Sequence, residues 1–584
     1  MELRDILSVD HKTERTVEFN KTFLHSYTQR LLIFKQSFFM LYILLSLVLL
    51  FPVIIGIGHI ASRYISSWKG LSTDFVLGIV GISVIWTIIS FFHPLNIFIE
   101  AVTIGVGLIS FVFSKKYKET WLLLREHYKF FIPTTVIILF IGSFYPFIMD
   151  HFGYYIPTIK WLSEIGIVKG ISNLDLLLGQ MSVWHIFQAG FSNISDPFLR
   201  INTILLIGYL VYIIDKKNYL HLLFFPILLL FAQSPSTDLP VIVLAMILLN
   251  EILEKSENIN GLFIISIFIF IIKPTMIWAP ILVFLYGILV LKAKLKWIIP
   301  GGILILLFIF KNLWTFGYPI FPISIIDFNL PWKPNAELLS TSSKTAIEKT
   351  YDLQYTYQQI QNFSTLEYIK NWFLLKGLKS VIHIGFIISL IGFSIYTFIK
   401  KDRIITIICI SLFIKSILVL LFSAQYRFFL DVFFAITFVV FYHQIKTSII
   451  LSISLIGSIM VSVGLSFPTM IKQMVPSFKL GQFMMGFNKN QLIKPSYFEL
   501  KNYKTYQVGN LKFNIVDGYI FSFDTPLPAI SPQFIQEDLD AGIFPQQISQ
   551  DIKDGFVWKK ITPKQKENIE NILKDWQQNM QNRQ

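Results

Sequence analysis

The chain has 584 residues, of which 54% are hydrophobic and 15% charged, and a mean hydropathy of +0.60. So much apolar surface excludes a soluble globular protein and points to a polytopic membrane protein. The formal charge of +14 would suggest nucleic acid in a soluble chain; here it fits short basic loops that face anionic lipid.

Residues 1–36 read as a polar N-terminal tail of mixed charge, without the pattern of a cleavable signal peptide. A spanning helix needs about 20 apolar residues. By that rule about fourteen spans are predicted, near 37–61, 74–93, 96–114, 131–149, 198–214, 219–233, 238–253, 260–274, 276–292, 297–311, 380–399, 404–422, 428–443 and 447–466. They divide into N-terminal transmembrane helices, 37–130, and a transmembrane core, 131–467. The lone cysteine, Cys409, lies in one of these segments, so no intramolecular disulfide can form.

Lys and Arg gather at Lys115, Lys116, Lys118, Arg125 and Lys129, at Lys216 and Lys217, at Lys292, Lys294 and Lys296, at Lys400, Lys401 and Arg403, and at Lys446. Strict alternation of spans puts all five groups on one side, which the positive-inside rule makes cytoplasmic. The N-terminal tail disagrees: fourteen spans would place it outside, although it carries Arg4, Lys12, Arg15, Lys21, Arg30 and Lys35. The opposite side then holds loop 150–197, the turn 234–238, loop 311–379, the turn 423–427 and a soluble region, 468–584. That last region contains turn-forming stretches at 516–518 and 525–528 and is expected to end in a polar helix near 563–580.

Asp150 is the most informative residue. It closes the apolar run 134–149 and opens a stretch with His151, Tyr154, Tyr155, Lys160 and Trp161. A carboxylate at the membrane edge is costly to keep without a purpose. Held beside a lipid-borne sugar phosphate, it could take a proton from an attacking hydroxyl. Equally, it could cap the following helix. Residues 150–161 have one apolar face and are expected to lie along the membrane surface, as is a half-embedded helix near 176–191. On the same side, Asp238 follows Ser234, Ser236 and Thr237 and could be an N-cap or a substrate contact. Lys273, Lys311 and Arg427 could anchor the interface by snorkelling or bind phosphate. Lys415 sits within a span and could pack helices or line a pathway. Loop 311–379 opens with Trp314, Phe316, Tyr318, Phe321 and Trp332, suited to carbohydrate stacking or to an interface belt. Metal-ligand spacings of Cys and His, a P-loop, a dinucleotide fingerprint and a nucleophile elbow are all absent from the sequence.

These residues carry a resemblance. Asp150, Gly153, Tyr154 or Tyr155, Ile159, Lys160, Trp161, Gly166, Gly170 and Asn173 resemble the pattern of an uncharacterised family of bacterial multispanning proteins with a glycosyltransferase-C-like layout. It continues through Ser234, Asp238 and Pro240, Lys273, Lys311 and Asn312, Pro331 to Lys333, Tyr426 to Phe428, Asp524 to Pro528, and Asp554 to Phe556. Unlike many enzymes of that class, this chain has no second acid beside Asp150: His151 follows, and the next acid is Glu164. That favours a lone base, with Asp238 as its possible companion, over a metal-binding acid pair.

The resemblance and residues together predict an all-α polytopic glycosyltransferase of the C type, with juxtamembrane helices and a small C-terminal region outside the cytoplasm. It would sit in a bacterial inner membrane. A polyprenyl-phosphate sugar would be the donor, and a glycan, lipid or protein the acceptor. Asp150 would be the catalytic base, and His151, Tyr154, Tyr155, Lys160, Trp161 and Asp238 would bind substrate. Lys273, Lys311 and Arg427 would hold the donor phosphate. No cofactor is indicated, although a divalent metal is compatible with the chemistry, and no nucleic-acid partner is expected. A surface-polysaccharide polymerase or ligase is the first alternative, although loop 311–379 lacks the arginines such proteins use. A lipid-linked glycan flippase is the second.

Overall fold

The computed structural model describes residues 40–65, 70–474, 485–498 and 502–581. The N-terminal tail, 1–36, and its charges lie outside the described residues. The described chain is mostly helical, with little sheet.

Six described helices are long and apolar enough to cross a membrane: Leu41–Ile65, Leu71–Ser90, Leu295–Thr315, Leu378–Lys400, Arg403–Phe422 and Thr447–Ser466. A seventh crossing is available from Ile97–Phe113 and Lys116–Gly142, which bend by 75° about Lys115 in the left-handed region. The basic stretch expected as a loop at 115–130 is therefore helical. The last of these helices stops at Gly142, so the apolar run before Asp150 finishes as irregular chain around Pro146.

The other expected spans are shorter for visible reasons. Tyr219–Phe231 alternates short 3-10 and α turns around Pro226. Pro274–Val290 is divided into a 3-10 turn, the helix Trp278–Leu285 and a π turn. Ile201–Lys216 and Asp238–Leu253 have 16 residues each and are buried along nearly their whole lengths. Helices that are apolar all round belong in an interior, and these two form the centre of the bundle. By contrast, only 22% of the apolar window of Leu378–Lys400 and 17% of that of Thr447–Ser466 is covered by protein. These two present their apolar faces outward.

Glycine sets the first contacts. A Cβ on Gly58 would stand 1.6 Å from the carbonyl oxygen of Asp74, and one on Gly78 2.0 Å from that of Ile54. Leu41–Ile65 and Leu71–Ser90 can therefore touch backbone to backbone, as small residues permit between membrane helices.

The C-terminal region corrects the all-α expectation. Strand β1 (Tyr503–Val508) pairs antiparallel with β2 (Leu511–Val516), and β3 (Ile543–Gln547) with β4 (Phe556–Lys560). The short alternation of Leu511, Phe513 and Ile515, all buried, sends one face of β2 into a core. The expected terminal helix is present as Pro563–Gln581.

This region is fastened to the helix bundle. Lys553 Nζ donates to the carbonyls of Ser90 (3.2 Å), Ile165 (3.0 Å) and Ile167 (2.9 Å). Asn173 Nδ2 donates to those of Trp332 (2.7 Å) and Phe556 (3.2 Å). Arg200 joins the carbonyls of Gly142 and Ser496. The segment 150–197 is consequently sandwiched. Its helix Ile156–Glu164 and the turns after it are mostly buried, where a surface-lying amphipathic helix was expected.

Candidate functional site

The helix ends that meet segment 150–197 carry four ion pairs arranged about the turn Tyr426–Phe429. Arg427 Nη1 stands 3.6 Å from Asp150 Oδ2. Lys273 Nζ donates to Asp238 Oδ1, Lys415 Nζ to Asp431 Oδ1 and Lys379 Nζ to Asp352 Oδ1. Aromatic rings of the turn link the cations. The Phe428 ring lies 5.1 Å from the Arg427 guanidinium and 5.3 Å from Lys273 Nζ, while Tyr426 lies 5.0 Å from Lys379 Nζ. Lys415 also donates to the carbonyl of Phe428 at 2.6 Å.

Exposure falls stepwise along this series. The Arg427 and Asp150 side chains are 47% and 50% exposed, Lys273 and Asp238 14% and 23%, and Lys415 and Asp431 1% and 6%. A soluble or lipid-borne anion can therefore reach the first pair and the edge of the second. The innermost pair is sealed, with Trp278 Nε1 donating to Asp431 at 2.7 Å. Such a pair persists in an apolar setting only with good geometry and further hydrogen bonds, and both are present.

Asp150 immediately precedes the π turn His151–Tyr155, yet its carboxylate makes no cap hydrogen bond to it. Capping therefore does not account for the residue. Asp238 likewise faces Lys273, with Ser236 beside it: Ser236 Oγ donates to Asp238 Oδ2 at 3.3 Å. Tyr155 lies between the two outer pairs, within electrostatic reach of Asp150, Asp238 and Arg427. Burial, followed by the neighbouring carboxylates, pushes its phenol well above the usual range, so it remains protonated. His151 is buried, its Nδ1 3.0 Å from Ser234 Oγ. Burial first, then Arg200 and His185, holds it well below the usual histidine range. It is a neutral imidazole at physiological pH. Tyr154 and Tyr155 pack on His185 at 5.0 and 4.8 Å.

Three other residues singled out in the sequence lie elsewhere. Lys160 donates to the carbonyl of Asp524 at 2.6 Å, and Trp161 is buried with its ring edge-on to Phe556. Both face the C-terminal region. Lys311 is buried and donates to the carbonyls of Gln180 (2.6 Å) and Met181 (3.1 Å). In loop 311–379, Trp314 and Trp332 flank Lys169 at 4.7 and 5.2 Å, so those rings already hold an internal cation. The loop reaches the site through Lys379 and through Trp372, whose Nε1 donates to the carbonyl of Ala424 at 3.1 Å.

Asp431 was not anticipated. The available signal was an acid one turn into an apolar segment, downstream of a buried lysine in need of a partner. Among the described residues, no group of three or more His, Cys, Asp and Glu side chains is arranged to hold a metal ion.

Residues 40–434, well over half of the chain, match a family model described as a domain of unknown function, DUF8201, and the chain belongs to that family. Neither a curated protein nor a solved structure matches it.

Proposed function

Starting from this DUF8201 chain, we propose an integral-membrane glycosyltransferase that takes a sugar from a polyprenyl-phosphate donor and passes it to an acceptor hydroxyl. The observation that carries the reading is the open Asp150–Arg427 pair backed by Asp238–Lys273. A carboxylate without a capping duty stands beside cations graded from half-exposed to mostly covered, at the ends of apolar helices. Arg427 and Lys273 would receive the donor phosphate, a role suited to guanidinium and ammonium groups. Asp150 would accept the proton of the acceptor hydroxyl as the new glycosidic bond forms and the phosphate departs, a direct displacement that inverts the anomeric centre. Tyr155, as a protonated phenol, would donate to a sugar or phosphate oxygen. In this reading Lys311 supports the site from behind, and Lys160 and Trp161 hold the C-terminal region over it.

The finer layout belongs to the same proposal. Shorter helices such as Ile201–Lys216, Ile259–Ile272 and Pro274–Val290 would complete a glycosyltransferase-C-like array of about fourteen crossings. The five basic groups would face the cytoplasm and Asp150 the exterior of a bacterial inner membrane. The buried Lys415–Asp431 pair is the feature that favours transport of a lipid-linked glycan as a second reading, because charges inside a bundle often mark a pathway.

The test is transfer of labelled sugar from a polyprenyl-phosphate donor, in membranes carrying the wild type or Asp150→Asn. Loss of a positioned base costs roughly 10²–10⁴-fold in rate. An Asp150→Asn protein that inserts normally and transfers at the wild-type rate would refute the assignment. Movement of the lipid-linked donor across the bilayer without transfer would favour the second reading.

A further inference from the structure

The surface-lying helix expected at 150–161 is buried, but loop 311–379 holds another helix with the pattern for that role. Helix Thr365–Phe373 is fixed at its start by a capping box: Ser364 Oγ accepts from the N–H of Glu367, and the Glu367 carboxylate accepts from the N–H and the Oγ of Ser364, both at 2.8 Å. Its one acid is thereby spent on its own cap. Leu366, Ile369 and Phe373, at three- and four-residue spacing, form an apolar face, and Glu367 and Asn371 lie on the other side. Trp372, at one edge of that face, is buried, whereas Leu366 and Ile369 remain 75% and 52% exposed, and Leu374, just past the helix end, 63%.

Two contacts fix where this helix sits. The Trp372 ring stacks on that of His383 at 4.0 Å, and His383 Nδ1 donates to the Trp372 carbonyl at 2.9 Å. His383 lies in the second turn of Leu378–Lys400, a helix about 35 Å long at 1.5 Å per residue, against about 30 Å for a hydrocarbon core. The first turns of that helix therefore stand at the bilayer edge, and helix Thr365–Phe373 is held beside them.

Leu378, Val381, Ile384 and Ile388 form an exposed stripe along the outward face of Leu378–Lys400. Along the chain, Leu374 carries this stripe on to Ile369 and Leu366. Lys370 and Lys376 are exposed beside the same apolar residues. Apolar side chains that continue a lipid-facing stripe, flanked by lysines, fit acyl chains on one side and anionic headgroups on the other. A protein partner would have to cover the lipid-facing stripe as well.

The placement bears on the ion-pair series. Trp372 Nε1 also holds the carbonyl of Ala424, and the Tyr426 ring rests against Lys379 in the first turn of Leu378–Lys400. The turn that carries Arg427 is thus tied to these two helices. We propose that helix Thr365–Phe373 is seated in the membrane interface, with Leu366, Ile369 and Leu374 among the acyl chains, and that it sets the open Asp150–Arg427 pair at the level of the phospholipid headgroups. This assignment is independent of the transferase reading, because depth is read without any reaction.

The experiment uses the full chain with Cys409→Ser, reconstituted in vesicles of phosphatidylethanolamine and phosphatidylglycerol. Single nitroxide labels go on Leu366→Cys, Ile369→Cys, Asn371→Cys, Tyr426→Cys and, as a lipid reference, Ile388→Cys. Relaxation by oxygen, which concentrates in lipid, is compared with relaxation by a water-soluble nickel chelate. The oxygen-to-nickel ratio at Leu366 and Ile369 is expected to exceed that at Asn371 several-fold while staying below that at Ile388. Leu374→Cys gives the same reading should either of the first two variants fail to fold. Tyr426 should fall between Asn371 and Ile369. If the chelate reaches Leu366 and Ile369 as readily as Asn371, the apolar face is open to water and the proposal fails. If neither relaxant reaches them, a protein surface covers the face, which overturns it equally. A Tyr426 reading outside its interval would detach the ion pair from the headgroup level and overturn that half of the proposal.

Discussion

The Arg427 guanidinium faces the Asp150 carboxylate across 3.6 Å of half-exposed space. A pair this open contributes little to stability, ~0–1 kcal/mol. Its members are thus free to exchange partners when an anion arrives. Arg427→Ala is expected to leave thermal unfolding within about 1 kcal/mol of wild type. The same change should raise the KM for a polyprenyl-phosphate donor by roughly 10- to 100-fold, the scale of a lost charge-assisted contact. Arg427→Lys should recover part of this. Donor-concentration series on the three proteins, beside their melting curves, make the comparison. An unaltered KM in Arg427→Ala would remove the residue from the donor site.

Lys311 should behave in the opposite way. Its ammonium is buried and ties the Gln180 and Met181 carbonyls to the end of helix Ile298–Thr315. Lys311→Met keeps the length but orphans both carbonyls, at about 1–3 kcal/mol for each. A clear fall in melting temperature is expected, while any folded fraction keeps the wild-type KM for donor. A KM defect with an unchanged melting temperature would return Lys311 to the phosphate site.

Docking of the C-terminal region depends on a close backbone approach. Gly555 has φ of +101°, and a Cβ there would lie 2.0 Å from the carbonyl oxygen of Lys169. That carbonyl accepts from the N–H of Phe556 at 3.0 Å. Gly555→Ala is both strained and obstructed, so it should loosen β4 from segment 150–197. Lys553→Met should do the same by releasing three carbonyls. Both variants are expected to be cut within residues 502–581 by a protease that spares the wild type. Equal resistance would show that docking does not rely on this seam.

The sequence made the outer half of the site legible because charge is rare at the ends of apolar runs. Asp150, Asp238, Lys273 and Arg427 each stand out against lipid-compatible neighbours, and the structure brings all four together. What pairs with what was not legible, since Asp150 and Arg427 belong to distant segments and nothing local joins them. Lys160 and Trp161 looked like site residues because they follow Asp150 closely. They are turned toward β4 and Asp524 by helix Ile156–Glu164, a direction set by tertiary packing. Hydropathy also does not show helix length: Asp238–Leu253 has only 16 residues, and Tyr219–Phe231 is broken into short turns around Pro226. The strands of the C-terminal region were hidden because each has only five or six residues, too few for a strong alternation signal.

Asp196 supplies a pH dependence whose sign can be worked out. It is buried near the start of helix Ile201–Lys216, and Gln188 Nε2 donates to its Oδ2 at 3.0 Å. Burial pushes its carboxyl from 3.8 up to about 7, against the opposing pull of the Arg200 backbone N–H, Gln188 and the Arg200 charge, and with Glu100 adding to the rise. The folded protein therefore holds a proton at this site that the unfolded chain has lost. That contribution is complete below about pH 4 and is lost as pH rises through about 7. Its full size is on the order of 4 kcal/mol. Asp196→Asn imitates the protonated acid at every pH. The variant should gain on the wild type as pH rises, its margin at pH 8 exceeding that at pH 5 by about 2–3 kcal/mol. Thermal unfolding of both proteins in detergent at the two pH values measures the gap. A gap of the same size at pH 5 and pH 8 would mean that Asp196 does not titrate in this range, and that its carboxylate is charged where it lies.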